Sequence, residues 1–96
     1  MNIEREVKLF KALAHPIRLK IVKKLLSGEV CVCELVEEAK FSQSNLSQHL
    51  KILKEAEILV SKKEGLKVNY SIYNENIISL IKINEKIVIE NINKLI

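Results

Sequence analysis

Apolar residues recur along this chain in two rhythms. From residue 3 to residue 55 they return every three or four positions, the period of helices with one buried face. Ile3, Val7, Phe10 (with Leu9) and Ala14 mark a first amphipathic helix over 3–14. His15-Pro16 interrupts it, because proline disfavours helix in the residue before it yet suits the first position of a new one. A second helix is predicted from Pro16 to Ser27, with Ile17, Ile21, Val22 and Leu25 inward and Gly28 as its C-cap. A short third helix, Val32 to Lys40, turns Leu35, Val36 and Ala39 inward. Phe41-Ser42 makes a turn, and Ser42 can cap a fourth helix from Gln43 to Glu55. Leu46, Leu50 and Leu53 form the buried stripe of that helix.

Beyond residue 57 the rhythm changes. Ile58 to Lys63 and Leu66 to Tyr73 are β-like runs separated by Glu64-Gly65, a short hairpin. Asn74 to Ile96 returns to helical spacing, with Ile77, Ile81, Val88, Ile92 and Leu95 on one face, widened by Leu80, Ile83 and Ile87. The order is helix, helix, short helix, helix, hairpin, helix. It predicts a mainly α fold with a small β-hairpin wing: a single winged helix-turn-helix domain over 1–96, with additional terminal helices. One Pro and two Gly leave little room for turns, which also favours a helical fold. With two Phe, two Tyr and no Trp, the core must be built from Ile, Leu and Val. A chain of 96 residues buries a smaller share of its surface than a larger domain, and oligomerisation is a common remedy. The broad apolar faces of the first and last helices therefore point to a homodimer formed through the termini.

Charge adds a location. Residues 1–39 carry seven basic and six acidic side chains, and residues 74–96 carry three of each. The segment 40–73 carries six Lys against Glu55, Glu57 and Glu64, so most of the net +4 lies around the fourth helix and the hairpin. A solvated lysine-rich surface would look the same, but the fourth helix adds a specific pattern. Its exposed positions hold Gln43, Ser44, Asn45, Ser47, Gln48 and Lys51. Ser, Gln and Asn can exchange hydrogen bonds with base edges in a major groove, while Lys holds phosphates. Lys62, Lys63 and Lys67 of the hairpin are placed as wing contacts to the backbone of duplex DNA.

Cys31 and Cys33 lie about ten residues ahead of that helix. A CxC pair is a small soft-ligand site, since thiolates select thiophilic metals, metalloids and oxidants over hard cations. Cys31-Val32-Cys33-Glu34 has the spacing of a capping box, with a thiol where Ser or Thr normally accepts the backbone hydrogen bond. A thiol is a weak cap, which favours a cysteine kept for its own chemistry. On a regular helix residues i and i+2 point roughly 200° apart, so joint capture of one ion is expected to unwind the first turn. The plainer reading makes Cys31 a weak cap and Cys33 a small, half-buried apolar residue. The N-terminus, with Asn2, Glu4, Arg5 and Glu6, lacks the basic start and apolar run of a signal peptide. No apolar run approaches the length of about 20 residues needed to span a bilayer. A soluble, cytoplasmic protein is expected, in which reduced thiols serve as a ligand or redox site and not as a structural disulfide.

Four stretches together resemble the arsenical-resistance repressor family, ArsR/SmtB: FKALAHPIRLKIVKKLL (10–26), EVCVCELVE (29–37), FSQSNLSQHLKILKEAEILVSKKEG (41–65) and VNYSI (68–72). All occur in family order and spacing. The resemblance implies a dimeric repressor that holds operator DNA through Gln43, Ser44, Ser47 and Gln48. It also implies an inducer, arsenite, antimonite or another soft metal, captured at Cys31 and Cys33. The family often has a third Cys three residues after the second, where this chain has Val36. The family's other metal site, built from Asp and His on the last helix, has no counterpart between Ser71 and Ile96, where neither residue occurs. His15 is read as a helix-boundary residue and His49 as packed at the helix edge. The alternative function is a repressor switched by oxidation of the two cysteines. No Ser-His-Asp set, Gly-rich phosphate loop or paired carboxylate suggests an enzyme, and no resident cofactor is required.

Overall fold

The computed structural model describes residues 2–39 and 43–94; the turn at Phe41, the cap at Ser42 and Leu95 lie outside them. Five helices, α1 (Ile3–Leu13), α2 (Pro16–Lys24), α3 (Val32–Ala39), α4 (Gln43–Glu55) and α5 (Glu75–Lys94), combine with strands β1 (Val30–Cys31), β2 (Leu59–Glu64) and β3 (Lys67–Ile72). Asn2 starts α1 by accepting the Arg5 N–H at 3.1 Å. The boundary residue His15 is itself the cap of α2: its Nδ1 accepts the Ile17 N–H at 3.1 Å, with Pro16 in the first turn. The second helix is shorter than expected. It ends at Lys24 and tightens into a 3-10 turn, Leu25–Ser27, before Gly28 at φ +139°. Such tightening is a frequent end to an α-helix.

The end of α4 explains how the chain enters the wing. The Ile58 N–H reaches back to the Leu53 carbonyl and the Glu57 N–H to the Lys54 carbonyl, each at 3.0 Å. Glu57 takes φ +61°, the left-handed conformation of a Schellman cap, and Ile58 is buried along with Leu53. Glycine usually fills that position, so Glu57 carries no sequence signal of it. Gly65 makes the wing turn at φ +61°. β2 and β3 pair antiparallel from Leu59↔Ile72 to Glu64↔Lys67.

The sheet has a third strand that hydrophobic spacing did not reveal. β1 pairs antiparallel with β3, Val30↔Tyr70 and Cys31↔Asn69, giving the order β1-β3-β2. Two residues are too few for an alternating pattern to register. β1 is instead fixed by the burial of Val30 in the core and by backbone pairing to β3.

Leu46, Leu50 and Leu53 of α4 are buried as their spacing implied, against Ile21, Val22 and Leu25 of the α2 region. Two faces behave differently from a simple inward stripe. In α1 the buried residues are Ala12 and Leu13, while Ile3, Val7, Phe10 and Ala14 stay exposed. In α5 Ile77 and Ile81 enter the core, and Leu80 packs at its edge. Ile83, Ile87, Val88, Ile89 and Ile92 stay exposed.

Candidate nucleic-acid interface and thiol site

With its leucine stripe anchored, α4 presents Asn45, Ser47, Gln48 and Lys51 on its exposed side. Gln43 and Ser44 occupy its first turn; their side chains lie outside the described residues. Lys62, Lys63 and Lys67 are exposed on the wing. Lys51 lies 4.0 Å from Glu55, and Lys62 lies 3.4 Å from Glu64. Such solvent-exposed pairs are weak, so these lysines keep most of their capacity for an anionic partner. A hydrogen bond also joins helix and wing. Lys54 Nζ donates to Ser61 Oγ at 2.7 Å, holding β2 against α4. Sequence spacing gave no sign of this bond.

Cys31 closes β1 and Cys33 lies in the first turn of α3, so the two are not successive residues of one helix. The expected 200° divergence therefore does not apply, and no unwinding is needed to bring them together. Their Cα atoms are 5.2 Å apart, within disulfide range, and the sulfurs are bonded. Cys31 Sγ also accepts the Cys33 N–H at 3.2 Å, so the thiol position does serve as a cap, to the residue two along. Both cysteines, together with Ser47, Lys51, Lys54 and Lys67, line a cleft of about 900 Å³ between α3, α4 and the wing.

Behind α4 lies a second polar cluster. Arg18 Nε donates to the Ala12 carbonyl at 2.6 Å and Nη2 to the Lys11 carbonyl at 3.2 Å, covering the C-terminal end of α1. Its Nη1 lies 3.4 Å from His49 Nδ1. Arginine can only donate, so that nitrogen must be the unprotonated one. The His49 ring stands 4.7 Å from the His15 ring. Desolvation lowers the His49 pKa, and the His15 and Arg18 charges lower it further. His49 thus packs at the helix edge as expected, but as part of a hub joining α1, α2 and α4.

The sequence profile of bacterial regulatory proteins of the arsR family matches residues 15–61. An uncharacterised HTH-type transcriptional regulator of Methanocaldococcus jannaschii is 38% identical, covering 88% of this chain and 96% of its own. The arsenical resistance operon repressor of Staphylococcus aureus is 38% identical, over 79% of this chain and 77% of its own. The chain belongs to the arsR family. Solved structures agree: HlyU from Vibrio cholerae superimposes with a TM-score of 0.82 at 34% identity, covering 90% of this chain and 94% of HlyU. A second structure of that protein, described as reduced, gives 0.80.

As an arsR-family member, the protein is a DNA-binding transcription regulator of winged helix-turn-helix fold, not an enzyme. No helix among the described residues is long and apolar enough to cross a membrane. The donor set for a metal is small. Among the described residues no group of three or more His, Cys, Asp or Glu could hold an ion. Once reduced, Cys31 and Cys33 could supply two of the three sulfur positions of a trivalent metalloid, and only two of the four of a tetrahedral zinc or cadmium.

Proposed function

We propose that this protein is a homodimeric, cytoplasmic repressor whose operator affinity is lowered when a soft thiophile occupies Cys31 and Cys33. In this reading Gln43, Ser44, Asn45, Ser47, Gln48 and Lys51 meet the major groove and its edges. Lys62, Lys63 and Lys67 hold flanking phosphates. Two copies of α4 enter successive grooves about 10 bp apart on a near-palindromic site. The carrying observation is the shared cleft, in which both sulfurs face the same space as Ser47 and Lys51 of α4 and Lys67 of the wing. Chemistry at sulfur also acts on the backbone that β1 shares with β3, because Cys31 pairs with Asn69. A coupling of about 1–3 kcal/mol, the usual allosteric scale, would change operator occupancy severalfold or more.

Arsenite or antimonite is the inducer we favour, because a pyramidal trivalent centre needs the fewest ligands beyond the two sulfurs. The name of the Staphylococcus aureus relative supports the same choice. The proximity of Cys31 and Cys33, with Cα atoms 5.2 Å apart, supports a second reading, in which oxidation by peroxide or polysulfide is itself the signal.

The two are separated by titrating the reduced protein on its own promoter DNA, followed by fluorescence anisotropy. Arsenite should release the DNA under reducing conditions. A Cys31→Ser/Cys33→Ser variant should fold and bind DNA as before, since Ser can accept the N–H that Cys31 accepts, and should ignore arsenite. Release by oxidants alone, reversed by a dithiol, would move the assignment to the redox reading. Unchanged release from the double variant would remove both.

A further inference from the structure

We propose that the cleft between α3, α4 and the wing seats a carboxylate-bearing monothiol, whose sulfur completes the coordination of a trivalent metalloid held by Cys31 and Cys33. The proposal rests on the metalloid reading above and names the missing ligand. Two protein sulfurs leave one bond of the pyramid unfilled, and no third protein ligand lies beside them among the described residues. A hydroxide could fill that position, but the cleft of about 900 Å³ beside it also has room for a small organic thiol.

The walls specify what fits. Lys51, Lys54 and Lys67 line the cleft, and among the described residues no acidic side chain does. Lys54 is held by its bond to Ser61, so one ammonium is positioned before any ligand arrives. Buried Leu50 and the half-buried Val68 and Tyr70 give the cleft an apolar floor, suited to the short carbon stem of a small thiol. A carboxylate two or three bonds from sulfur could meet a lysine while the sulfur stays at the metalloid. A neutral thiol lacks that contact and a cationic one is repelled.

The chemistry balances without an external oxidant. Two equivalents of the thiol reduce the Cys31–Cys33 disulfide, forming two protein thiols and one small disulfide. Arsenous acid then condenses with the two protein thiols and one further thiol. Three As–O bonds are replaced by three As–S bonds, the three thiol protons leave with the three hydroxides as water, and arsenic stays trivalent.

Native mass spectrometry of the reduced protein tests this in the absence of DNA. Arsenite would be supplied with mercaptoacetate, 2-mercaptoethanol or cysteamine, three thiols of similar size and different charge. The expected product is a complex of one chain, one arsenic and one thiol. Retention should follow the order anionic, neutral, cationic, with roughly a fivefold step for the anion, the scale of one partly exposed ion pair. Lys54→Gln should reduce the mercaptoacetate advantage while leaving 2-mercaptoethanol retention unaltered. Equal retention of the three thiols would overturn the proposal. So would chain–arsenic adducts that carry no added thiol, although these would leave the metalloid reading standing. Failure to bind arsenic in any form would remove that reading and this inference together.

Discussion

Burial, the neighbouring His15 ring and the Arg18 guanidinium hold the pKa of His49 below its ordinary value, and this has a consequence for stability. In the unfolded chain the imidazole takes up its proton near pH ~6.5, whereas in the folded chain it does so only at lower pH. Between those values the unfolded state binds more protons, so stability present above the unfolded pKa declines as pH falls through the folded one. Protonation would also convert the Nδ1 that faces Arg18 from an acceptor to a donor. Urea midpoints of the native chain should therefore fall between about pH 7.5 and about pH 5, and those of His49→Gln should fall less. An identical pH dependence in the two proteins would count against the hub. Single residues such as this one show how polar groups behind α4 can set its position without touching DNA.

At the scale of the element, the proposed function divides the work of binding between α4 and the wing. The Leu46, Leu50 and Leu53 stripe fixes the rotation of the helix, and that rotation decides that Asn45, Ser47, Gln48 and Lys51 face outward. The Lys54–Ser61 bond then sets the wing relative to the helix. Contacts to base edges carry sequence preference, and contacts to phosphates carry affinity that is lost with salt. Gln48→Ala should lower affinity for the operator by about 1–3 kcal/mol, with a smaller effect on random duplex. Lys63→Ala should weaken both duplexes about equally and make the salt slope shallower by about one unit. Anisotropy titrations on both duplexes at several salt concentrations distinguish the two patterns. Equal losses on both duplexes for both variants would reject this division of roles.

At the scale of the whole molecule, the apolar residues left outside the core matter most. Ile3, Val7 and Phe10 of α1 and Ile83, Ile87, Val88, Ile89 and Ile92 of α5 are exposed in the single chain. Exposed apolar surface of that extent on the terminal helices fits a two-fold interface between copies. The structure also shows which residues test it. Ile81 shares the spacing of Val88 but is 2% exposed and belongs to the protomer's own core, so a charge there would unfold the chain. Ile87→Glu/Val88→Glu places charge only on the exposed half. It should give monomers in sedimentation, with circular dichroism unchanged. A dimer that survives both substitutions would place the interface elsewhere.

Hydrophobic period, together with the breaks at His15-Pro16 and Glu64-Gly65, determined most of the architecture: the number of helices, the hairpin and the outward side of α4. These follow from local spacing, which a chain cannot hide when each helix must bury one face. The CxC pair and the lysine excess of the central segment were equally legible, being matters of residue identity. Other features depended on contacts between residues far apart in sequence. β1 exists because Val30 and Cys31 meet Tyr70 and Asn69, and that pairing takes Cys31 out of the helix and sets it beside Cys33. The division of α5 into a core half and an exposed half could not be read from its spacing, since one apolar period serves either burial. The cleft that joins sulfur, recognition helix and wing is likewise a product of packing. Its lining comes from 31–36, 47–54 and 66–70, three segments that only the folded chain brings to one place.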